Sequence, residues 1–510
     1  MKTNRKPLCV ALCFLSFATI AETVDAAPQG QADMSAIALH GIIPEAGKLT
    51  TLLTQTLTSN PSLNSAISKA NSAWLELAGE KAAFYTPSLN AKVENGEAPH
   101  TIPATGFSSI TDNSATAYQI GIESPVINGV YGGVGIRQAF MSESNEEDTA
   151  TAGAYIRIPL LQDSGFAIHK SKINALNATS LATIAEARLK LLELGVGVVD
   201  AYARYSYAII DAGEIRNAVN RAEKLVEESS HRAELQDIPQ YQVYPAEYEV
   251  AIRKEELHEA DQQILIHERK LLEALGTTNS INQIELVGDN ASTLFSQWAE
   301  AISKLSIDNL KAQSQLTPLP ELLIAEANVV KAQHNYESIV QQERSKLDIQ
   351  VGAGWDDNDA LDNEFGYSIG VVYSRPLGSD GSTYKLRKGK QDIETQSLDA
   401  KATAISCDLR IQRAELAFSS ACARLALATK AMEQAQKVLA SENDRFAIGD
   451  GTSRNVLDAQ QDLTTAIRRK NSIALEVILS ANELCRAYGL SPFVDKSIEE
   501  IAELELVPNK

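Results

Sequence analysis

Arg445-Phe446-Ala447-Ile448-Gly449-Asp450-Gly451-Thr452-Ser453-Arg454-Asn455-Val456-Leu457-Asp458-Ala459-Gln460 is the run whose reading decides the fold. Gly449 and Gly451 admit the positive φ of a reversal between two helical segments. Extended to Gly489, the stretch from Arg445 lies beside Arg232 to Gly276 without a gap. Asp237 meets Asp450, Val243 meets Val456, Ala246 meets Ala459, Leu271 meets Leu484, Ala274 meets Ala487, and the terminal glycines coincide. Equal length and matched anchors mark an internal duplication.

The flanking segments repeat in the same order. Asn60-Pro61-Ser62-Leu63 opens an amphipathic helix to about Tyr85, and Leu319-Pro320-Glu321-Leu322 opens another to about Glu343. Ile158-Pro159-Leu160 with Asp163 corresponds to Arg375-Pro376-Leu377 with Asp380. Each half therefore reads helix, strand, strand, long helix, tight turn, helix. In the first half the long helix runs over about 165–237 with no proline, roughly 100 Å at ~1.5 Å per residue. The helices 60–85 and 239–276 together nearly match it, so two short helices stack end to end along one long one. The second half repeats this with about 384–448 against the helices from Pro320 and from 452 to 489. Leu189, Leu192, Leu194, Val196 and Val199 mix with alanine as the seams of a coiled-coil-like bundle do.

Strands are expected at about 89–95 and 154–161, and at about 347–354 and 365–376. Leu347 to Val351 alternates apolar with polar, and Phe365, Tyr367, Ile369, Val371 and Tyr373 share one face, as a lipid-facing barrel strand requires. Tyr118–Glu123 and Val130–Arg137 read as further strand, either widening the barrel or forming an extracellular flap. Four strands per chain do not close a barrel, for which about eight is a minimum. With the extra segment outside the ladder, three chains supply twelve strands. The fold class is mainly α with a small transmembrane β-barrel: a duplicated repeat at 27–281 and 318–490 building a trimeric α-helical barrel. Residues 282–317 form a linker around its middle and 491–510 a tail.

Lys2, Arg5 and Lys6, an apolar run from Leu8 to Ile20 and small residues at Ala26 and Ala27 read as a signal peptide over 1–26. Leu12 is too large for the position before a lipid-modified cysteine at Cys13. The net charge of -20 argues against nucleic acid, which asks for a basic face. Cys407 and Cys422 on one helix stand ~22 Å apart by helical rise, beyond disulfide reach. Asp356-Asp357-Asn358-Asp359 lacks the glycine and distal glutamate of an EF-hand, and His258 and His267 have no metal spacing. Gly132-Gly133-Val134-Gly135 lacks the following helix of a nucleotide fold. No nucleophile and base are paired, so neither an enzyme nor a cofactor is expected.

The run 445–460, with its Arg-Phe, glycine turn and Val-Leu-Asp-Ala-Gln, resembles the TolC-like outer-membrane efflux protein family. Pro159-Leu160-Leu161-Gln162-Asp163-Ser164-Gly165 and Asn60-Pro61-Ser62-Leu63 are similar to that family too, in the same order. The resemblance covers nearly the whole chain after 1–26. It implies a homotrimeric exit duct of a tripartite efflux pump or type I secretion system, set in outer-membrane lipid and projecting into the periplasm. A periplasmic adaptor and an inner-membrane pump would dock at the turns, at Gly449, Gly451 and Thr452 and at Ile238 and Pro239. Some members carry two aspartates narrowing the tip. Asp458 matches one and Asn455 replaces the other, and Asp450, Arg454, Asp237 and Gln242 stand nearby as further gate candidates. Asp458 also reads as a helix-dipole residue. In the first-half turn, Pro239 is expected at the start of the next helix. The rival functions are a periplasmic adaptor, needing one hairpin between compact β domains, and an extracellular coiled-coil fibre or adhesin, needing sustained heptads without strand pairs.

Overall fold

The computed structural model describes residues 49, 52, 53, 56, 60–96, 115–127, 129–141, 149–235, 239–278, 291–314, 318–358, 361–375, 380–448, 450 and 452–490. Its helices are α1 (Pro61–Tyr85), α2 (Ala167–Glu234), α3 (Tyr244–Leu275), α4 (Ala291–Ser303), α5 (Ile307–Ser314), α6 (Pro320–Gln342), α7 (Asp380–Ala447) and α8 (Ser453–Ala487). Helices α2 and α7 have 68 residues each, about 100 Å of rise. The short helices stack in pairs beside them, α1 with α3 and α6 with α8.

The joint in each stack is built by a glycine meeting a proline. Gly276 (φ 71) ends α3 and Gly489 (φ 72) ends α8. In both, a backbone bond five residues back closes the last turn, Thr277 N–H to Leu272 O at 3.1 Å and Leu490 N–H to Cys485 O at 2.9 Å, the Schellman pattern that glycine permits. A Cβ on Gly276 would lie 2.9 Å from Asn60 Nδ2, and one on Gly489 would lie 2.9 Å from Leu319 Cδ2. Asn60 completes the first joint: its Oδ1 caps α1 at Ser62 N (2.9 Å) and its Nδ2 donates to Ala274 O (3.3 Å). The duplicated anchors behave alike. Val243, Val456, Ala246, Ala459, Leu271 and Leu484 are all buried.

Helix α2 packs against α1, α3, α6 and α8, whereas α7 packs against α6 and α8. The helices therefore follow the sideways order α1/α3, α2, α6/α8, α7. The upper seam of α2 buries Ala175, Ala178, Ala182 and Ala185, small residues that allow close approach of the axes. The main core lies at mid-height, where α4 brings Phe295 and Trp298 onto Tyr202 of α2 and Ile478 of α8. Helix α5 is held by Lys311, 3.0 Å from Glu415 of α7, whose carboxylate also accepts from the Tyr488 hydroxyl. Those two donors hold the Glu415 carboxyl below the usual carboxylate range.

The strands are β1 (Ser88–Gly96), β2 (Ala115–Ile127), β3 (Val130–Met141), β4 (Thr149–Pro159), β5 (Lys346–Asn358) and β6 (Leu361–Ser374), in one antiparallel sheet of order β1-β2-β3-β4-β5-β6. The expectation of two strands in each half is thus corrected: the first half contributes four, because 118–123 and 130–137 lie in the ladder as β2 and β3. The condition on which three chains would supply twelve strands, that this segment stay outside the ladder, is therefore not met. Pairing β4 with β5 joins the two halves.

The expected strand and helix limits shift outward or inward by a few residues, and the helix start at 165 moves to Ala167. There Asp163 (φ 58), Gly165 (φ 66) and Phe166 (φ 61) form a left-handed link out of β4. A left-handed phenylalanine costs about 1–2 kcal/mol, offset by burial of its ring edge-on to Phe84 and Tyr131 at 4.8 and 5.4 Å. In the first-half turn, Pro239 precedes a 3₁₀ turn over Gln240–Gln242, and the proline within the first helical turn of α3 is Pro245. The expectation for Pro239 is corrected, because its ψ of 144° is extended.

Gly489→Ala should destabilise the chain by about 1–2 kcal/mol, from its positive φ plus the close approach of Leu319. Gly213→Ala, with nothing within 4 Å of its added Cβ, should be neutral or stabilising by up to ~1 kcal/mol. Thermal melts of both variants in detergent, followed by circular dichroism, check the contrast.

Candidate functional site

The end of the helical layer at which α2 turns into α3 and α7 into α8 collects the residues singled out by sequence. Asp237, Ile238, Gly449 and Gly451 lie outside the described residues. Pro239 is exposed, and Gln242 closes the 3₁₀ turn. Thr452 is the N-cap of α8: its Oγ1 accepts from Asn455 N at 3.4 Å and donates to Asn455 Oδ1 at 3.1 Å. Asn455 is therefore occupied in a capping exchange. Asp450 turns back onto the preceding helix, its backbone N–H bonding Arg445 O at 2.9 Å and its carboxylate 3.6 Å from Arg445 Nε. Glu442 flanks the same guanidinium at 3.0 Å.

Arg454 and Asp458 are exposed on α8. No acid stands in the first turn of that helix. Asp458 lies in the second turn, where the dipole has largely faded, so the helix-dipole reading is corrected. Asp462, also exposed, follows one turn later on the same face. The i, i+4 spacing of Asp458 and Asp462 is legible in the sequence, whereas the family pattern pairs Asp458 with the position of Asn455.

Behind the turns lies a small core of Leu225, Ala246, Leu439, Phe446, Val456, Ala459 and Leu463. Cationic side chains of α2 reach across it. Arg232 stacks on the Phe446 ring at 4.4 Å and donates to Phe446 O at 3.3 Å. Arg221 donates to Thr464 Oγ1 at 3.0 Å, and burial pulls its guanidinium below the usual range. On α3, Arg253 bridges Glu249 and Glu256, both at 2.8 Å. Higher up, Arg468 of α8 makes a two-pronged bond to Asp211 of α2, at 2.8 and 3.0 Å. The contacts of Arg232, Arg221 and Arg468 tie the α7/α8 hairpin to α2, and any sideways motion of that hairpin must break them.

Among the described residues no three His, Cys, Asp or Glu side chains are grouped to hold a metal ion, and Cys407, Cys422 and Cys485 are free thiols. Residues 356–358 end β5, and Asp359 lies outside the described residues. His258 sits 3.3 Å from Gln262. No described helix is long and apolar enough to cross a membrane.

Replacing Asp211 by Asn, Arg468 by Gln, and both together should give a coupling energy of about 1 kcal/mol in a double-mutant cycle read by thermal unfolding. A coupling near zero would show that the pair does not tie the hairpin down.

Against known proteins, no family profile matches the chain and no curated sequence does. Solved structures do. The outer membrane protein VceC from Vibrio cholerae superposes with a TM-score of 0.63 at 15% identity, covering 87% of this chain and 96% of that one. The Campylobacter jejuni CmeC outer membrane channel gives 0.61 at 14% identity, over 90% of this chain and 89% of that one. The open state of the Neisseria gonorrhoeae MtrE outer membrane channel gives 0.59 at 15%, over 87% and 89%. What the chain shares with these outer-membrane channels is the fold.

Proposed function

We propose that three copies of this chain close head to tail into an outer-membrane exit duct, a passive conduit without catalytic chemistry, with its helices in the periplasm. The observation that carries the reading is a second apolar stripe on α7. Cys407, Ala414, Phe418, Ala421 and Leu425 bury one face of that helix. On the roughly opposite face Leu398, Ile405, Leu409, Leu416, Leu427 and Val438 are each about half exposed or more, at 49–70%. A helix apolar on two faces needs neighbours on both, and among the described residues α7 packs against α6 and α8 on one.

The two layers are open at the same sides. Helix α7 is last in the helical order and follows β6, the last strand. Helix α1 is first and leads into β1. One edge of a copy therefore presents α7 and β6, and the other presents α1, α3 and β1. Exposed Trp74, Leu75, Tyr248 and Leu265 lie on the latter. Unlike edges that complement each other produce a ring. Closure also removes the sheet's free edges, the one condition under which strands reside in hydrocarbon.

The exposed apolar face of the sheet would meet outer-membrane lipid. The turns, with Thr452, Pro239 and the neighbouring Gly449, Gly451 and Ile238, would receive a periplasmic adaptor and an inner-membrane pump. Within this reading Asp458 and Asp462 are the gate acids, brought together by threefold symmetry, where like charges repel and a cation or proton relieves them. Asn455 and Asp450 serve the turn itself, while Arg454, Asp237 and Gln242 border it. An adaptor would have a single hairpin, against the two here, and a fibre would lack the sheet.

Native mass and planar-bilayer conductance of the same detergent-purified sample test the duct. A trimer with small, cation-selective openings is expected, and a non-conducting monomer would overturn it. Leu416→Asp should lower the trimer fraction several-fold. Asp458→Ala should raise conductance and weaken block by divalent cations; unchanged single-channel currents would remove Asp458 from the gate.

A further inference from the structure

Resting on the trimeric reading above, we infer that the β2–β3 hairpin is part of the transmembrane wall, so that the duct crosses the membrane as an eighteen-stranded barrel, six strands from each copy.

The register makes the hairpin continuous with its neighbours on both faces. On one face Leu89, Ile122, Val134, Ala154, Ala353 and Tyr367 follow each other across all six strands. Ile120 and Ile136, one step along β2 and β3, are 49% and 59% exposed, comparable to Trp355 at 62% and Phe365 at 60%, which lie on the same rung of the second-half strands. A flap standing in water would have no reason to extend that apolar face at the same height. On the other face Gly121, Gly135, Gly153, Gly354 and Gly366 form one row across β2 to β6. The row crosses from the hairpin to the second-half strands without a break in level. Absent side chains on the concave side are how a sheet bends without crowding.

Side chains lock the hairpin in place at its helix-side end. Arg157 of β4 reaches over β3 to Glu123 of β2 at 2.8 Å, and Tyr155 comes within hydrogen-bonding reach of the same carboxylate. The strand between them carries Gly133 at that level, and a Cβ there would sit 2.4 Å from the Tyr155 ring. The turn is equally tied. A Cβ on Gly129 would lie 2.6 Å from Gly165 N, and the Tyr131 hydroxyl donates to Asp163 at 3.0 Å. These contacts fix β2–β3 to the link that starts α2, the point where the two layers meet.

Circumference supplies an independent argument. Four helical positions per copy give twelve around the ring, and at ~9 Å spacing they need a perimeter of about 110 Å. Eighteen strands ~4.8 Å apart and tilted by ~40° need about 113 Å, whereas twelve need about 75 Å. At that tilt six strands per copy would bring the two layers to equal girth. The hairpin therefore sets a bore about 1.5 times wider than twelve strands at the same tilt would give.

The test is nitroxide accessibility in lipid vesicles, on protein with Cys407, Cys422 and Cys485 replaced by alanine and single cysteines at Ile120, Ile136, Val351 or Val371. Native mass is checked for each labelled protein, and Val134 replaces any hairpin position whose label breaks the trimer. Labels on all four strands of a trimer should collide with dissolved oxygen in preference to a water-soluble nickel chelate. If the labels at Val351 and Val371 prefer oxygen while those at Ile120 and Ile136 prefer the nickel chelate, the hairpin is outside the wall. The eighteen-stranded barrel then falls, and the duct stands. If all four prefer the nickel chelate, or no trimer forms in the unlabelled protein, the membrane duct itself fails and takes the barrel with it.

Discussion

The unpaired backbone groups along the outer edges of β1 and β6 set the terms for the rest of the architecture. In water such edges are a liability, and in hydrocarbon each unsatisfied N–H or C=O costs several kcal/mol. In the described residues β1 and β6 are the two ends of an open ladder, and six strands are fewer than the number, about eight, that a small closed barrel uses. The helices are arranged to match. Because α1 runs directly into β1 and β6 leads to α7, the sheet edges and the helix edges coincide, and one contact between copies would answer both needs.

Length matching follows from that arrangement. A wall of long helices works only if the short helices beside them leave no gap, and the gap is closed by two glycine joints. Gly276 and Gly489 let each lower helix end within reach of a proline-opened upper helix. The side chain that a larger residue would bring is replaced by Asn60 in one joint and Leu319 in the other. The polar joint adds a hydrogen bond to Ala274 O and the apolar joint adds a packed leucine. The same geometry is thus held by different chemistry in the two halves.

At the opposite ends of the helices the chemistry diverges. Toward the sheet, strain in the left-handed link at Asp163–Phe166 is held by aromatic packing and by Tyr131. This junction joins the hairpin, the first-half strands and α2. Toward the turns, arginines on α2 and α8 bridge between helices through Phe446, Thr464 and Asp211. Contacts of that kind exchange partners more readily than a packed apolar seam, since charged heads regain water when they part. The turn end is tied by polar bridges, and the sheet end by rings and ladders.

The duplication, the helix lengths, the glycine ends and the alternation of the second-half strands were legible in the sequence, because each depends on residues near one another along the chain. So was the fold class. Asp458 was singled out from a local pattern, and Asp462 could have been, by the same i, i+4 spacing. Only tertiary structure decided what depends on distant partners. Alternation marked 118–123 and 130–137 as strand but could not say which strands they join, since that choice is made by register with β1 and β4. The capping bond that occupies Asn455, the ion pair that draws Asp450 back to Arg445, and the extended backbone at Pro239 are likewise set by how the turns fold back. The second stripe of α7 was written in its leucines, yet only the placement of α6 and α8 on the other face showed it to be uncovered.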